Sequence, residues 1–169
     1  KGKYVRQFEE SIENYVGGVF ATSCSNGTVA LHLALLALDI GPGDEVIVPA
    51  VSWSTTYFPL QQYGLRVKFV DIDPETLNFN LEDLERAITP KTRAILAVNL
   101  LGNSNDFLKI KKLIEERNIV LLEDNCESMG ATFSDQMTGT FGVMGTFSSY
   151  FSHHIATMEG GCVITDDEE

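Results

Sequence analysis

Basic residues are scarce in this sequence. Twelve Lys and Arg stand against 24 Asp and Glu, a formal net charge of -12. That balance argues against coating DNA or RNA, which takes clustered cationic side chains, so no nucleic-acid partner is expected. It says nothing against a small phosphorylated ligand held by a few backbone amides. Cysteine is also sparse. Cys24, Cys126 and Cys162 form an odd set with no CxxC spacing. With no signal-peptide pattern ahead of them, reduced thiols and a cytoplasmic setting are expected. The most apolar stretch, Val29 to Leu38, is too short to span a bilayer and contains His32, so no membrane partner is expected. Neither GxGxxG nor a Walker-type GxxxxGK run occurs, which leaves dinucleotide and Walker-type binding weakly supported. Internal repeats, linkers and low-complexity stretches are missing too. There is no initiator Met, and the chain stops on Asp166 to Glu169. Both ends read as cut, and the chain as part of a longer protein.

What is present is ordinary globular material. With 169 residues, 44% of them hydrophobic, there is enough apolar surface for one domain with a core. Val5, Phe8, Ile12 and Tyr15 recur at helical spacing between Tyr4 and Tyr15, and Gly17-Gly18 ends that helix. Short apolar runs then alternate with helical ones. Strands are expected at Val19 to Thr22, Glu45 to Ala50, Val67 to Ile72, Arg93 to Leu100, Ile119 to Leu122, Gly145 to Tyr150 and Cys162 to Thr165. Helices are expected from Val29 to Leu38, from Ser52 to about Tyr63, from Leu81 to Ile88 and from Asn105 or Asp106 to about Arg117. Several strands are continuous apolar runs instead of alternating ones. That pattern predicts an α/β fold, three layers α/β/α, with a mostly parallel sheet between helices.

In such a sheet ligands lie beyond the carboxyl ends of the strands, so polar residues just after strands are the candidates. Asn26-Gly27-Thr28 opens a helix, where free amides and the helix dipole suit a phosphate; a plain helix cap is the alternative. Trp53, the single tryptophan, follows a strand and is placed either to pack in the core or to stack on a flat ring. Asp124 ends another strand and needs a partner there, a capped amide or a protonated ring nitrogen. Ser148, Ser149 and Ser152 lie within reach of a phosphate. His153 and His154 sit in FSSYFSHHIATMEGG, the stretch that carries the most reactive chemistry. One of them serves as a base, unless one is a satisfied core residue and the other faces solvent. A phosphate cradle, a stacking aromatic, an acidic ring partner and a base together describe pyridoxal 5'-phosphate or its amine form, pyridoxamine 5'-phosphate.

The segments SNGTVALHLAL, PGDEVIVPA, FVDIDPETLN, LLEDNCESMGA and GTFSSYFSHHIATMEGG, in that order, resemble the DegT/DnrJ/EryC1/StrS sugar aminotransferase family over essentially the whole chain. The resemblance implies the large domain of the aspartate aminotransferase fold (PLP fold type I), residues 1–169, without its C-terminal small domain. It implies that Gly27, Thr28 and Ser148 hold the cofactor phosphate, that Trp53 stacks on the ring and that Asp124 pairs with the ring nitrogen. Glu127 stands where most relatives carry Gln. Counting back from Glu159-Gly160-Gly161, His153 occupies the place of the family's Schiff-base lysine.

Histidine has no primary amine and cannot hold an aldehyde cofactor covalently, but it can move protons. The resemblance therefore points to the family's nucleotide-sugar 3-dehydratases. These remove the C3 hydroxyl of a nucleotide-activated 4-keto-6-deoxy sugar in deoxysugar biosynthesis. It further implies glutamate as amino donor and a homodimer. Two rivals within the family are a dehydratase carrying a 2Fe–2S cluster and a sugar 4-aminotransferase. A metal hydrolase using His153, His154 and Glu159 is disfavoured, since neighbouring residues on an extended strand point to opposite faces.

Overall fold

The computed structural model describes residues 1–17 and 20–167. Gly18 and Val19, expected at the end of the first helix and the start of the first strand, and Glu168-Glu169 of the acidic end lie outside the described residues.

Seven strands form one sheet: β1 (Phe20–Cys24), β2 (Glu45–Pro49), β3 (Arg66–Val70), β4 (Thr92–Val98), β5 (Val120–Asp124), β8 (Met144–Ser148) and β9 (Gly161–Thr165). Their order is β1-β9-β8-β5-β4-β2-β3. From β8 to β3 every pairing is parallel. β9 runs against both of its neighbours, β8 and β1. The sheet is thus mostly parallel, as the continuous apolar runs predict. A small hairpin, β6 (Thr132–Phe133) with β7 (Gln136–Met137), stands apart from it. Ser134 and Asp135 at its tip both have positive φ. The segment carries none of the glycines that usually advertise such a turn, and the sequence reading passes over it.

Side-chain parity along the strands divides the core. Val46, Val48, Ala94, Leu96, Leu122 and Val163 bury against α2 (Gly27–Leu36) and α3 (Ser54–Gln62). Their neighbours Ile47, Ile95, Ala97 and Leu121 turn to the opposite face, with residues of α4 (Leu81–Ala87) and α5 (Phe107–Ile114). Ala21, Phe147, Cys162 and Ile164 pack with Ile12 and Val16 of α1 (Lys3–Val16). Cys162 and Ile164 flank Val163, so α1 shares the face of α4 and α5. Helices therefore cover both faces, two on one side and three on the other.

Local chemistry sets the helix starts. Asn26 accepts from the Val29 amide, Asn80 from Glu82 and Asp83, and Asp106 from Lys109. Of the two residues offered for the last cap, Asp106 takes the role. Asn105 is buried and bonds to Asn99 and to the Val98 carbonyl.

The edge strand β1 is sealed by α1. The β1 amides of Ala21 and Ser23 find acceptors in the Glu13 and Glu9 carboxylates, both at Oε1, at 2.9 and 2.8 Å. Burial raises the pKa of Glu9, but the Ser23 amide, the Lys1 ammonium and the Ser23 hydroxyl outweigh it, and the net direction is downward. An edge with occupied donors is a poor template for another strand.

Candidate functional site

The carboxyl ends of β2, β5 and β8 and the N-terminus of α2 open on one cavity of about 330 Å³. Gly27, Thr28, Trp53, Asp124, Glu127, Ser148 and His153 all line it. These seven of the residues singled out from the sequence thus meet in one place.

The cradle forms first. With Asn26 as cap, the Gly27 and Thr28 amides lead α2 and fall outside its hydrogen-bond ladder. A Cβ on Gly27 would sit 2.8 Å from the Ser148 Cβ and 2.9 Å from the Cys126 Sγ. The absence of that side chain lets β8 and the turn after β5 close on the helix start. Gly161 does the same one strand away: its missing Cβ would lie 2.4 Å from the Asn26 carbonyl. Ser148 shares the α2 face of the sheet by parity, while Phe147 turns to α1. Ser148 and Ser152 line the cavity and Ser149 does not. The expectation that Ser149 reaches a phosphate is corrected: its hydroxyl is 2.7 Å from Thr157 Oγ1.

Asp124 ends β5 and is 4% exposed. Its Oδ2 accepts from Thr56 Oγ1 at 2.9 Å and its Oδ1 from the Cys126 amide at 3.2 Å. Neither Thr56 nor Ser52, which is 3.0 Å from the Thr56 hydroxyl, stood out in the sequence. Thr56 lies 68 positions from Asp124 in the chain, and a hydroxyl in the first turn of a helix carries no local signal. Trp53 is 69% exposed at the N-cap of α3. It forms part of the cavity wall and lies outside the core, which excludes the core placement. Glu127 accepts from the Leu101 amide at 3.3 Å, at a backbone bend where Leu101 has φ of 53°.

His153 faces the cavity and is half-buried; His154 is exposed and outside it. They lie in the turn and short loop between two strands, so the strand alternation invoked against a shared metal ion does not apply to them. β8 ends at Ser148, and residues 149–160 form turns and bends, with the His153 amide bonded to the Tyr150 carbonyl at 2.9 Å. A turn, not strand alternation, separates the two rings.

The electrostatics are one-sided. Asp124, Glu127 and Glu159 line the cavity, and among the described residues no Lys or Arg does. Burial and the Asp124 charge push the Cys126 thiol well up, and burial pushes Cys162 up to about 12. Both thiols stay neutral, which does not suit a nucleophile. Among the described residues no three His, Cys, Asp or Glu side chains are grouped to hold a metal ion.

The sequence profile of the DegT/DnrJ/EryC1/StrS aminotransferase family matches residues 1–169. The chain is 60% identical over 174 residues to GDP-4-keto-6-deoxy-D-mannose 3-dehydratase of Escherichia coli O55:H7, covering 99% of this chain and 45% of that one. Identity to the protein of the same name from Yersinia pseudotuberculosis is 61% over 174 residues, 99% of this chain and 44% of that one. The chain thus spans less than half the length of these curated relatives. A crystal structure of GDP-4-keto-6-deoxymannose-3-dehydratase with a trapped PLP-glutamate geminal diamine has 60% identity and a TM-score of 0.96, covering 99% of this chain and 45% of its own. A double variant of GDP-4-keto-6-deoxymannose-3-dehydratase (ColD), with a serine changed to asparagine and the next residue, histidine, changed to lysine, has 59% identity and a TM-score of 0.97, covering 99% of this chain and 46% of its own.

Proposed function

From the premise that the chain belongs to the DegT/DnrJ/EryC1/StrS aminotransferase family, we propose that it is the cofactor-binding large domain of a pyridoxamine phosphate-dependent nucleotide-sugar 3-dehydratase. The substrate is a GDP-linked 4-keto-6-deoxyhexose, and the product is its 3-deoxy derivative. The observation that carries this reading is a cavity with a phosphate cradle, a buried carboxylate and a histidine, and no lysine among the described residues that line it. An aminotransferase of this family needs a lysine amine there. Sequence likeness to the 3-dehydratases supports the nucleotide and sugar. The paired serine–histidine change in the ColD variant supports His153, because Ser152-His153 is the one Ser-His pair in this sequence.

The residues fit the cofactor. The gap that a Gly27 Cβ would fill sits beside the Ser148 hydroxyl, where Gly27, Thr28 and Ser148 would hold the phosphate. Asp124, which accepts from the Thr56 hydroxyl and the Cys126 amide, would keep a proton on the ring nitrogen. Trp53 would cover the ring face. When bound, pyridoxamine phosphate supplies an amine for the sugar's 4-keto carbon, an electron-accepting ring and two reducing equivalents. His153 takes up a proton at one imidazole nitrogen and returns it to the departing C3 hydroxyl. Glutamate is the amino donor, in keeping with the glutamate trapped in the relative.

Among the described residues three carboxylates and no Lys or Arg line the cavity, yet cofactor and substrate both bring phosphates. Cationic groups from outside this cavity must balance that charge. A homodimer in which the partner completes the site provides them, in a cytoplasmic enzyme. The test is the full chain, loaded with pyridoxamine phosphate and given GDP-4-keto-6-deoxymannose, with products read by mass spectrometry. A 3-deoxy-4-keto sugar is expected. A 4-amino sugar in its place would overturn the reading.

A further inference from the structure

Resting on that cofactor reading, we infer that Thr56 and Ser52 are positioning residues, a two-hydroxyl relay that fixes the Asp124 carboxylate toward the cofactor's ring nitrogen. The polarity of the relay follows from donor counting. An ionised carboxylate only accepts, and a threonine hydroxyl has one proton to give. Thr56 Oγ1 donates to Asp124 Oδ2 at 2.9 Å. Its contact with Ser52 Oγ at 3.0 Å must then run the other way, Ser52 donating. The Cys126 amide holds Oδ1 at 3.2 Å. Each carboxylate oxygen thus accepts from a different element, and the Cys126 thiol bonds to the carboxylate as well. Turning the carboxylate breaks at least one bond in a site only 4% exposed, where no water replaces it readily.

The same turn builds a second part of the site. Trp53 is the N-cap of α3 and Thr56 its third residue, and the Thr56 amide bonds to the Trp53 carbonyl at 3.0 Å. Indole and carboxylate support are therefore set by one backbone segment. A buried threonine needs an acceptor in any fold, so stability alone cannot tell a positioning role from a structural one. A titration can.

The other titratable groups about this carboxylate come from three elements. Tyr57 of α3 donates to the Pro49 carbonyl at 2.8 Å, and burial pushes its pKa up. Cys126 is pushed up as well. Both stay neutral through the working range. Glu127, His153 and Glu159 share the cavity and are unchanged in the variants below.

The experiment uses the full chain with bound pyridoxamine phosphate, following the near-ultraviolet band as the ring nitrogen loses its proton. In Thr56→Val that loss is expected about one pH unit lower, a roughly tenfold weaker hold on the proton. Thr56→Ser, which keeps the hydroxyl, restores the wild-type titration. Ser52→Ala shifts it the same way by less. An unshifted titration in folded Thr56→Val overturns the relay. Should that variant fail to fold, Ser52→Ala decides: a downward shift supports the relay, and none overturns it. Asp124→Asn separates this from the parent reading. If it too leaves the titration in place, Asp124 is not the ring partner, the cofactor assignment fails at this residue, and the relay falls with it.

Discussion

Glu123 and Asp124 are neighbours in β5 and send their carboxylates to opposite faces of the sheet. Asp124 lines the cavity on the α2 and α3 side. Glu123, fully buried, accepts from the Gly139, Phe141 and Gly142 amides at 2.6, 2.6 and 2.8 Å. Two adjacent acids have been given different work by parity alone.

Exchanging each acid for its amide should separate the two kinds of work. Glu123→Gln places an amide nitrogen where backbone donors need an acceptor, and should cost about 3 kcal/mol of stability. Turnover per folded molecule should change little. Asp124→Asn should leave the melting temperature near wild type and lower turnover by at least ~10²-fold. Thermal melts and steady-state rates on both variants check this. Near-normal turnover in folded Asp124→Asn would count against its role.

Glu9 gives a pH signature. Its pKa is lowered in the fold from an ordinary 4.5, so its contribution is fully present above that value. It is lost as pH falls through the lower folded value. Glu9→Gln should therefore be less stable than wild type by about 1–2 kcal/mol at pH 7, and the two should converge in strong acid. Urea unfolding at several pH values measures the gap. A gap that widens on acidification would contradict this account.

His153→Lys should gain a covalent hold on pyridoxal phosphate that wild type lacks. Lysine carries the primary amine that imidazole does not, on a longer and more flexible stem. Borohydride treatment followed by mass spectrometry should find the cofactor fixed to His153→Lys and to neither wild type nor His154→Lys. Dehydration should fall sharply. Attachment in His154→Lys alone would move the base by one residue.

Gly27→Ala should weaken pyridoxamine phosphate binding by at least ~10-fold, because a methyl there meets Ser148 and Cys126 below contact distance. Equilibrium dialysis reads this out. Binding as tight as wild type would remove Gly27 from the cradle.

The loop that carries His153 is clasped at its ends. The Ser149 amide donates to the Gly160 carbonyl and the Thr157 amide to the Ser149 carbonyl, both at 2.9 Å. The Thr157 hydroxyl donates to the Glu159 carbonyl at 3.0 Å, so the Ser149 hydroxyl donates to Thr157 at 2.7 Å. Ser149→Ala should loosen the loop, lowering kcat by about tenfold while cofactor affinity holds. Amide hydrogen exchange should quicken across residues 150–158. Unchanged exchange would show that the clasp does not depend on this hydroxyl.

The parts of this site that sequence reveals are those with local causes. Asn26 announces a helix start, Asp124 stands at the mouth of an apolar strand, and two histidines stand out among few. Glu127 came from resemblance, since a glutamate in a turn has no distinguishing pattern. Thr56 and Ser52 escaped notice because their meaning lies in a contact made far along the chain. The direction of β9 was equally silent: Gly161 to Thr165 alternates no differently for running against its neighbours. Two local expectations failed: β8 ends at Ser148 and not at Tyr150, and the Ser149 hydroxyl turns to Thr157.

The place of β9 has a consequence for how the protein is made. In the sheet β1 touches only β9, and the pairing joins Phe20 to Thr165 and Cys24 to Gly161. On the ribosome β1 is finished long before its partner exists. Until residues 161–165 have emerged, Phe20 to Cys24 has no sheet to join, and Gly161 has not yet settled against the Asn26 carbonyl. The nascent chain thus waits with one flank open, and closing it must bring Phe20 to Thr165. Such distant pairing is slow and leaves the unfinished sheet exposed to other chains. The glutamates of α1, already synthesised, can occupy the outward amides of β1 throughout that interval.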